Sequence, residues 1–374
     1  MGILLQEPTS TNQLDDLYKT RFTLDLPTRL TSIKISPNGE NLAISSSNGK
    51  IYIYDLSTAT LITTLTGHTK GVSDIVYSPI NSNILASCSD DLTIRLWNIK
   101  ANKCIKIFKK HTYHITTLKF IQKGNILISG SSDETITIWD ITSNKIMTTL
   151  AAHSDPVSSI ALTPDDSMIV SASYDGLMRL FDLQTSQCLK TLTNSTSHGT
   201  ATASTTDVLN YPISKVEISP NGQFILSSSL DGKIRLWNYM ENKVYKTYQG
   251  IKKERGDEEK DGDDDYETIC TKYNCDAKFL TICVDPLIVS GTDSSGLLVW
   301  DIQSKNIVYQ LKPDVAGTDA VLGVDTYNKG EILCCCSRDG KVNVLDINPK
   351  YIKKEPEPVV DRTPSVTPGY NTPI

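Results

Sequence analysis

The chain repeats itself. A large apolar residue followed by Asp or Asn closes a strand-like segment seven times: Tyr54-Asp55, Trp97-Asn98, Trp139-Asp140, Phe181-Asp182, Trp237-Asn238, Trp300-Asp301 and Leu345-Asp346. The first four closures lie 42 or 43 residues apart and the last two 45 apart. The two gaps between, of 56 and 63 residues, each hold a polar insertion. A period of about 40–45 residues is the length of one four-stranded sheet in a radial array. Such a sheet cannot bury both faces alone, so the period demands a ring of stacked copies.

Each unit runs as strand, turn, strand, turn, strand and final strand. Asn38-Gly39, Asn48-Gly49, Asp175-Gly176, Asn221-Gly222, Asp231-Gly232 and Asp339-Gly340 mark the turns, because these pairs tolerate positive φ. The seventh unit stops near Asp346-Ile347, one strand short. Arg21 to Leu26, ahead of the first unit, has the pattern of the missing strand, and pairing it there would remove an open edge. The expected fold is all-β: a seven-bladed propeller closed by an N-terminal strand. Expected boundaries are an N-terminal extension over 1–19, the propeller over 20–348 and a disordered tail over 349–374. The insertions fall at 194–207, rich in Ser and Thr, and at 252–267. The second carries nine acidic and four basic residues, a net of −5 out of −6 for the chain. Both read as solvated excursions; the acidic one could also attract a basic partner. The tail holds Thr-Pro steps at Thr363, Thr367 and Thr372.

A mildly acidic chain lacks the cationic footprint of a nucleic-acid binder. No apolar run nears the roughly 18 residues that span a membrane, and Met1 to Asp16 has no secretory pattern. The nine cysteines, Cys334-Cys335-Cys336 among them, lack the paired spacing of a zinc site and read as small buried hydrophobes in a reducing compartment. No cofactor or metal is expected.

His68, His111 and His153 each precede a unit. Ser87, Ser129 and Ser171 lie in second strands, and Asp91, Asp133 and Asp175 in turns. A hydrolase needs one such set beside an oxyanion hole. Three copies at the blade period read instead as buried hydrogen-bond networks, since buried polar groups must be paired. The chain is therefore expected not to be an enzyme.

The repeat with its Trp-Asp closures resembles the WD-repeat family over about residues 20–348. A more specific likeness lies in Ala152-His153-Ser154-Asp155-Pro156-Val157-Ser158, Ser173-Tyr174-Asp175-Gly176-Leu177 and Gln187-Cys188-Leu189-Lys190-Thr191-Leu192. Ser219-Pro220-Asn221-Gly222, Lys246-Thr247-Tyr248 and Gly71-Val72-Ser73-Asp74 extend it. These stretches resemble the WD-repeat scaffold subunits of COMPASS- and MLL-type histone H3 lysine methyltransferase complexes. Divergent loops and the patchy sixth unit suggest a distant relative, of fungal type.

That resemblance implies a nuclear scaffold without catalytic activity, bound to a SET-domain methyltransferase subunit and to a second WD-repeat subunit. It implies a central pocket for an arginine supplied by the catalytic subunit or the histone H3 tail. Ser73, Ser158 and Ser214 would surround it; Gly71, Val72, Asp74, Asp90, Tyr174, Cys275 and Leu322 would form the rim. The first strands agree, placing Thr31, Ser73, Thr116, Ser158, Ser214 and Gly323 in one column. The family clamps its arginine between two phenylalanines. Thr116 replaces the first, and Ala277, or Lys278 if the turn is one residue shorter, replaces the second; Tyr113 or Tyr273 could take over the clamp. On the opposite face, Asn221, Phe224, Leu236 and Gln303 would receive the second WD-repeat subunit, although Phe224 and Leu236 also suit blade core. The alternative is an adaptor in another assembly, such as ubiquitin ligation or RNA processing.

Overall fold

The computed structural model describes residues 16–193, 211–252 and 266–353. They form seven four-stranded antiparallel sheets. The second blade shows the logic. Its strands are Val72–Ser78, Asn81–Ser89, Thr93–Asn98 and Lys103–Lys109, paired in that order. The two middle strands are mostly buried, whereas the outermost alternates between exposed and covered residues. Middle strands are packed on both faces, so they read as apolar runs and not as alternation.

The innermost strands are Leu30–Ile35, Val72–Ser78, Ile115–Phe120, Val157–Leu162, Ile213–Ile218, Ala277–Leu280 and Val321–Tyr327. Each neighbours the next, and the last neighbours the first, so the ring closes around a central channel. Apolar clusters fill the seams between blades. One joins Leu30, Ile33 and Leu42 to Cys334, Cys336 and Val344 across the closure. Cys334, Cys335 and Cys336 are fully buried, as small hydrophobes in a middle strand are expected to be.

The closing strand runs from Tyr18 to Asp25 and pairs with Lys341–Ile347, supplying the outer strand of blade seven. It begins earlier than expected, because Leu17 and Tyr18 are themselves core residues and Tyr18 Oη donates to Gly330 O at 2.7 Å. The expected disorder from 349 onward also needs correction at its start. Pro349–Tyr351 forms a 3-10 turn, Ile352 pairs with Cys283, and Tyr351 Oη donates to Asp16 Oδ1 at 2.8 Å. The two ends of the body are tied to each other and to blade six. The stretch 194–207 lies outside the described residues, as do 253–265 within the acidic insertion and the tail beyond 353. The roots of the acidic insertion do pair, Lys252 with Tyr266.

Candidate functional site: the channel mouth and the opposite face

A bulge sets the geometry of the channel. In six of the blades the pairing of first and second strands slips by one residue, at Leu30/Ser32, Val72/Asp74, Ile115/Thr117, Val157/Ser159, Ile213/Lys215 and Val321/Gly323. The unpaired residues are therefore Thr31, Ser73, Thr116, Ser158, Ser214 and Leu322. A bulge re-aims a side chain that would otherwise follow the pleat.

Thr31, Ser73, Thr116, Ser158 and Leu322 line a cavity of about 300 Å³ at the channel mouth, together with Tyr174, Lys215, Lys272, Tyr273 and Asn274. Its hydroxyls join neighbouring blades. Thr31 Oγ1 donates to Val72 O at 2.6 Å, Thr116 Oγ1 to Val157 O, and Ser158 Oγ to Ile213 O. Ser73 Oγ donates instead to Asp90 Oδ1 at 3.1 Å. A hydroxyl has one proton, so these four present acceptor lone pairs to a ligand. Two tyrosines stand in the wall, each braced. Asn274 Nδ2 donates to Tyr174 Oη at 2.6 Å. Arg338 donates to Tyr273 Oη at 2.6 Å and lies 4.8 Å from its ring centre.

Several expected residues lie elsewhere. Ser214 is fully buried and donates to Ser228 O within its own blade. Asp74 is not at the rim: it lies inside the channel, accepting from Ser32 Oγ at 3.0 Å and Leu118 N at 3.2 Å, which links blades one, two and three. Val72 is core, while Gly71 and Asp90 pair through Asp90 N and Gly71 O. Blade six is out of register with expectation. Ala277 pairs with Ser290 and Trp300 with Ile288, which places Ala277 in the column of Ile75, a core position. Lys278 is further down and bonds Glu217 at 2.8 Å. Neither lines the mouth cavity. Cys275 occupies the column of Ser73, but it is buried. Lys215, Lys272 and Asn274 were not expected to line the mouth; Tyr273 was one of two candidates to take over the clamp, and the other, Tyr113, is not in the lining. No sequence signal marked Lys215, because the bulge at Ser214 is invisible in the pattern; Lys272, Tyr273 and Asn274 come from the loop that corresponds to Thr112–Ile115 of blade three.

Below the mouth, Lys215 also borders a second cavity of about 20 Å³ lined mostly by charged side chains. Asp276 lies between Lys215 at 3.0 Å and Lys34 at 3.8 Å, and Glu217 between Lys278 at 2.8 Å and Lys119 at 3.9 Å. Burial works against each charge here. For Asp276 and Glu217 the lysines outweigh it and hold both carboxyls below their usual range. For Lys34 the carboxylates Asp325, Asp276, Asp74 and Glu217 do the reverse and raise the ammonium. The channel is thus filled by compensated charge.

The repeated polar sets form as expected. His68 reaches Asp91 Oδ2 at 2.9 Å and Ser87 Oγ at 2.7 Å, and Trp97 Nε1 donates to the same Ser87 at 2.8 Å. His111, Asp133, Ser129 and Trp139 repeat this, as do His153, Asp175 and Ser171. These distances match those of a hydrolase triad. However, Ser87, Ser129 and Ser171 are fully buried, so no substrate can reach them.

On the opposite face, Asn221 and Gln303 are exposed and Phe224 is half-buried, its ring 5.7 Å from that of Tyr245. Leu236 is not available: it is 2% exposed and packs with Trp300 and Leu298 in the seam between blades five and six. Lys246 Nζ crosses that seam to Gln303 O at 3.0 Å. Met240 and Tyr245 add exposed apolar surface in blade five.

Residues 26–346 match the family model described as the WDR5 beta-propeller domain. Among curated proteins, the chain is 34% identical over 89 residues to Polycomb protein EED of Chaetomium thermophilum, covering 22% of this chain and 16% of that one. It is 36% identical over 95 residues to WD repeat-containing protein 1 of Gallus gallus, covering 24% and 15%. It is 28% identical over 96 residues to pre-mRNA-processing factor 19 of Mus musculus, covering 25% and 19%. The matched part thus spans less than a fifth of these relatives. The family model, in contrast, covers all seven sheets except the closing strand Tyr18–Asp25, and the chain belongs to the WDR5 beta-propeller domain family.

Proposed function

We propose that this propeller is a non-catalytic scaffold of a nuclear, COMPASS-type histone H3 lysine methyltransferase assembly. In this reading the channel mouth receives one side chain of a peptide from the SET-domain subunit or the histone H3 tail. The opposite face, around Asn221, Phe224 and Gln303, holds a second WD-repeat subunit. The supporting observation is the contrast between the two kinds of polar group in the ring. The His-Ser-Asp sets are sealed from solvent, whereas the bulge residues open into a cavity large enough for a side chain. A rigid, mostly preformed pocket with a few placed polar groups is what peptide capture requires. The Polycomb protein among the relatives is in keeping with a chromatin setting.

The test is affinity purification of the full-length protein, with mass spectrometry and a histone H3 methylation assay on the eluate. A SET-domain protein, a second WD-repeat protein and H3 lysine methylation should be recovered together. Tyr273→Ala should release the SET-domain subunit, and Phe224→Ala with Gln303→Ala the WD-repeat subunit, each from a folded propeller. Recovery of an assembly without a SET-domain protein would replace this reading with that of an adaptor elsewhere.

A further inference from the structure

The cavity at the channel mouth has two unlike halves. Blades one to four contribute Thr31, Ser73, Thr116 and Ser158, whose protons are held by Val72 O, Asp90, Val157 O and Ile213 O. This arc offers acceptors. Blades five and six contribute Lys215 and Lys272, and among the described residues no carboxylate lines the cavity. Lys215 is held from below by Asp276. Lys272 is exposed and forms no ion pair among the described residues. Asp90 touches the arc through Ser73 but lies outside the lining, with His114 Nδ1 3.7 Å from the same Oδ1.

Ligand chemistries divide on this polarity. A guanidinium or ammonium is donor-only; it suits the arc but meets two ammonium groups, of which Lys215 is offset by Asp276 and Lys272 by no carboxylate among the described residues. A carboxylate is acceptor-only; it suits the lysines but sets its oxygens against four hydroxyl oxygens. A carboxamide carries two donors and one acceptor on a flat frame. We propose that the cavity selects a glutamine or asparagine side chain of the partner peptide, an assignment that rests on the peptide-pocket reading above. The amide N–H groups face the hydroxyl arc and the carbonyl oxygen faces Lys215 and Lys272. The flat group lies against Tyr174 and Tyr273, whose rings are fixed by Asn274 and Arg338. Lys272 is then the residue that turns the pocket away from arginine.

The test uses the full-length protein on an array of blocked seven-residue peptides, identical except for a central Gln, Asn, Arg, Lys, Glu or Ala. Gln and Asn should bind at least about ten-fold tighter than the other four. Lys272→Glu, at an exposed position without an ion pair, should raise arginine by about ten-fold relative to glutamine. The assignment is overturned if Arg or Glu ranks first with the unaltered protein, if Lys272→Glu leaves the ranking unchanged, or if no central residue is selected. The purification with Tyr273→Ala then separates the two levels. If the SET-domain subunit is lost, the pocket reading stands without the carboxamide; if it is retained, the pocket reading falls as well.

Discussion

Blades two to four and blade six solve the same packing problem differently. In the former, histidine, serine, aspartate and, in two of the three, tryptophan tie the loop before the blade to its second strand, third strand and turn. The turn takes this form even where the residue after Asp is not glycine: Leu92 and Glu134 have φ of 66° and 69°. A left-handed residue costs about 1–2 kcal/mol, which the network offsets. Among its described residues, blade six keeps only the bonds from its loop to the turn aspartate, Asp293, and has neither the histidine nor the Trp–Ser bond. Its innermost strand is only Ala277–Leu280, and Trp300 Nε1 donates to the backbone of Gln249 at 2.9 Å. The loop before that strand, held by Asp293 without a histidine, places Lys272, Tyr273 and Asn274 in the cavity. Regular blades hold the ring rigid, and the irregular one supplies the chemistry of its mouth.

The largest expected difference lies in stability. Asp133→Ala leaves buried His111 with Ser129 as its one remaining side-chain partner in the set, and an unsatisfied buried polar group costs about 1–3 kcal/mol. Denaturant unfolding should show a loss of this order, large against the total stability of an ordinary domain. A loss under about 1 kcal/mol would mean that the networks are incidental to the fold.

A smaller difference should appear with pH. Burial lowers the His68 ring below its ordinary 6.5, against the pull of Asp91. Burial would raise the Asp91 carboxyl, but hydrogen bonds from Thr93 and His68 outweigh it and bring it to about 2. Both groups are depressed in the fold, so both contributions are complete at high pH and fade as pH falls. The histidine contribution begins to fade below 6.5, and that of the aspartate between 3.8 and about 2. Hydrogen-exchange protection over Thr93–Asn98 should therefore drop between pH 7 and 5 more than that over Leu297–Asp301. Equal drops would remove the distinction between the two regions.

The regular region was also the legible one. Its period gave the blade count, its Asn-Gly and Asp-Gly pairs the turns, and the shortfall at Asp346 the closing strand. Three recurring sets of His, Ser and Asp were enough to read a network. Legibility failed where the repeat does. Spacing alone could not show that blade six shifts Ala277 from the mouth to the core column. It could not show that Leu236 is sealed by Trp300. Nor does a propensity pattern reveal a bulge, so the alternation after Ser214 did not flag Lys215 as a floor residue. The charges of the channel stand on six blades, and only the closed ring brings Lys34 beside Asp276.

The smallest expected effect is the most discriminating. Asp293 does for blade six what Asp133 does for blade three: its Oδ2 accepts from Thr271 N at 2.6 Å and Lys272 N at 2.8 Å, as Asp133 Oδ2 accepts from Thr112 N at 3.0 Å. It holds no histidine, however. Asp293→Ala frees two backbone donors on an exposed loop, where water can replace the lost carboxylate. Global stability should fall by only about 1 kcal/mol. The loop should respond much more: the Thr271 and Lys272 amides should lose exchange protection, and discrimination between glutamine and arginine peptides should weaken as Lys272 loses its position. Denaturant unfolding and exchange on the same variant decide the matter. A global loss equal to that of Asp133→Ala would mean that blade six is braced like the others and that its irregularity has no bearing on the pocket.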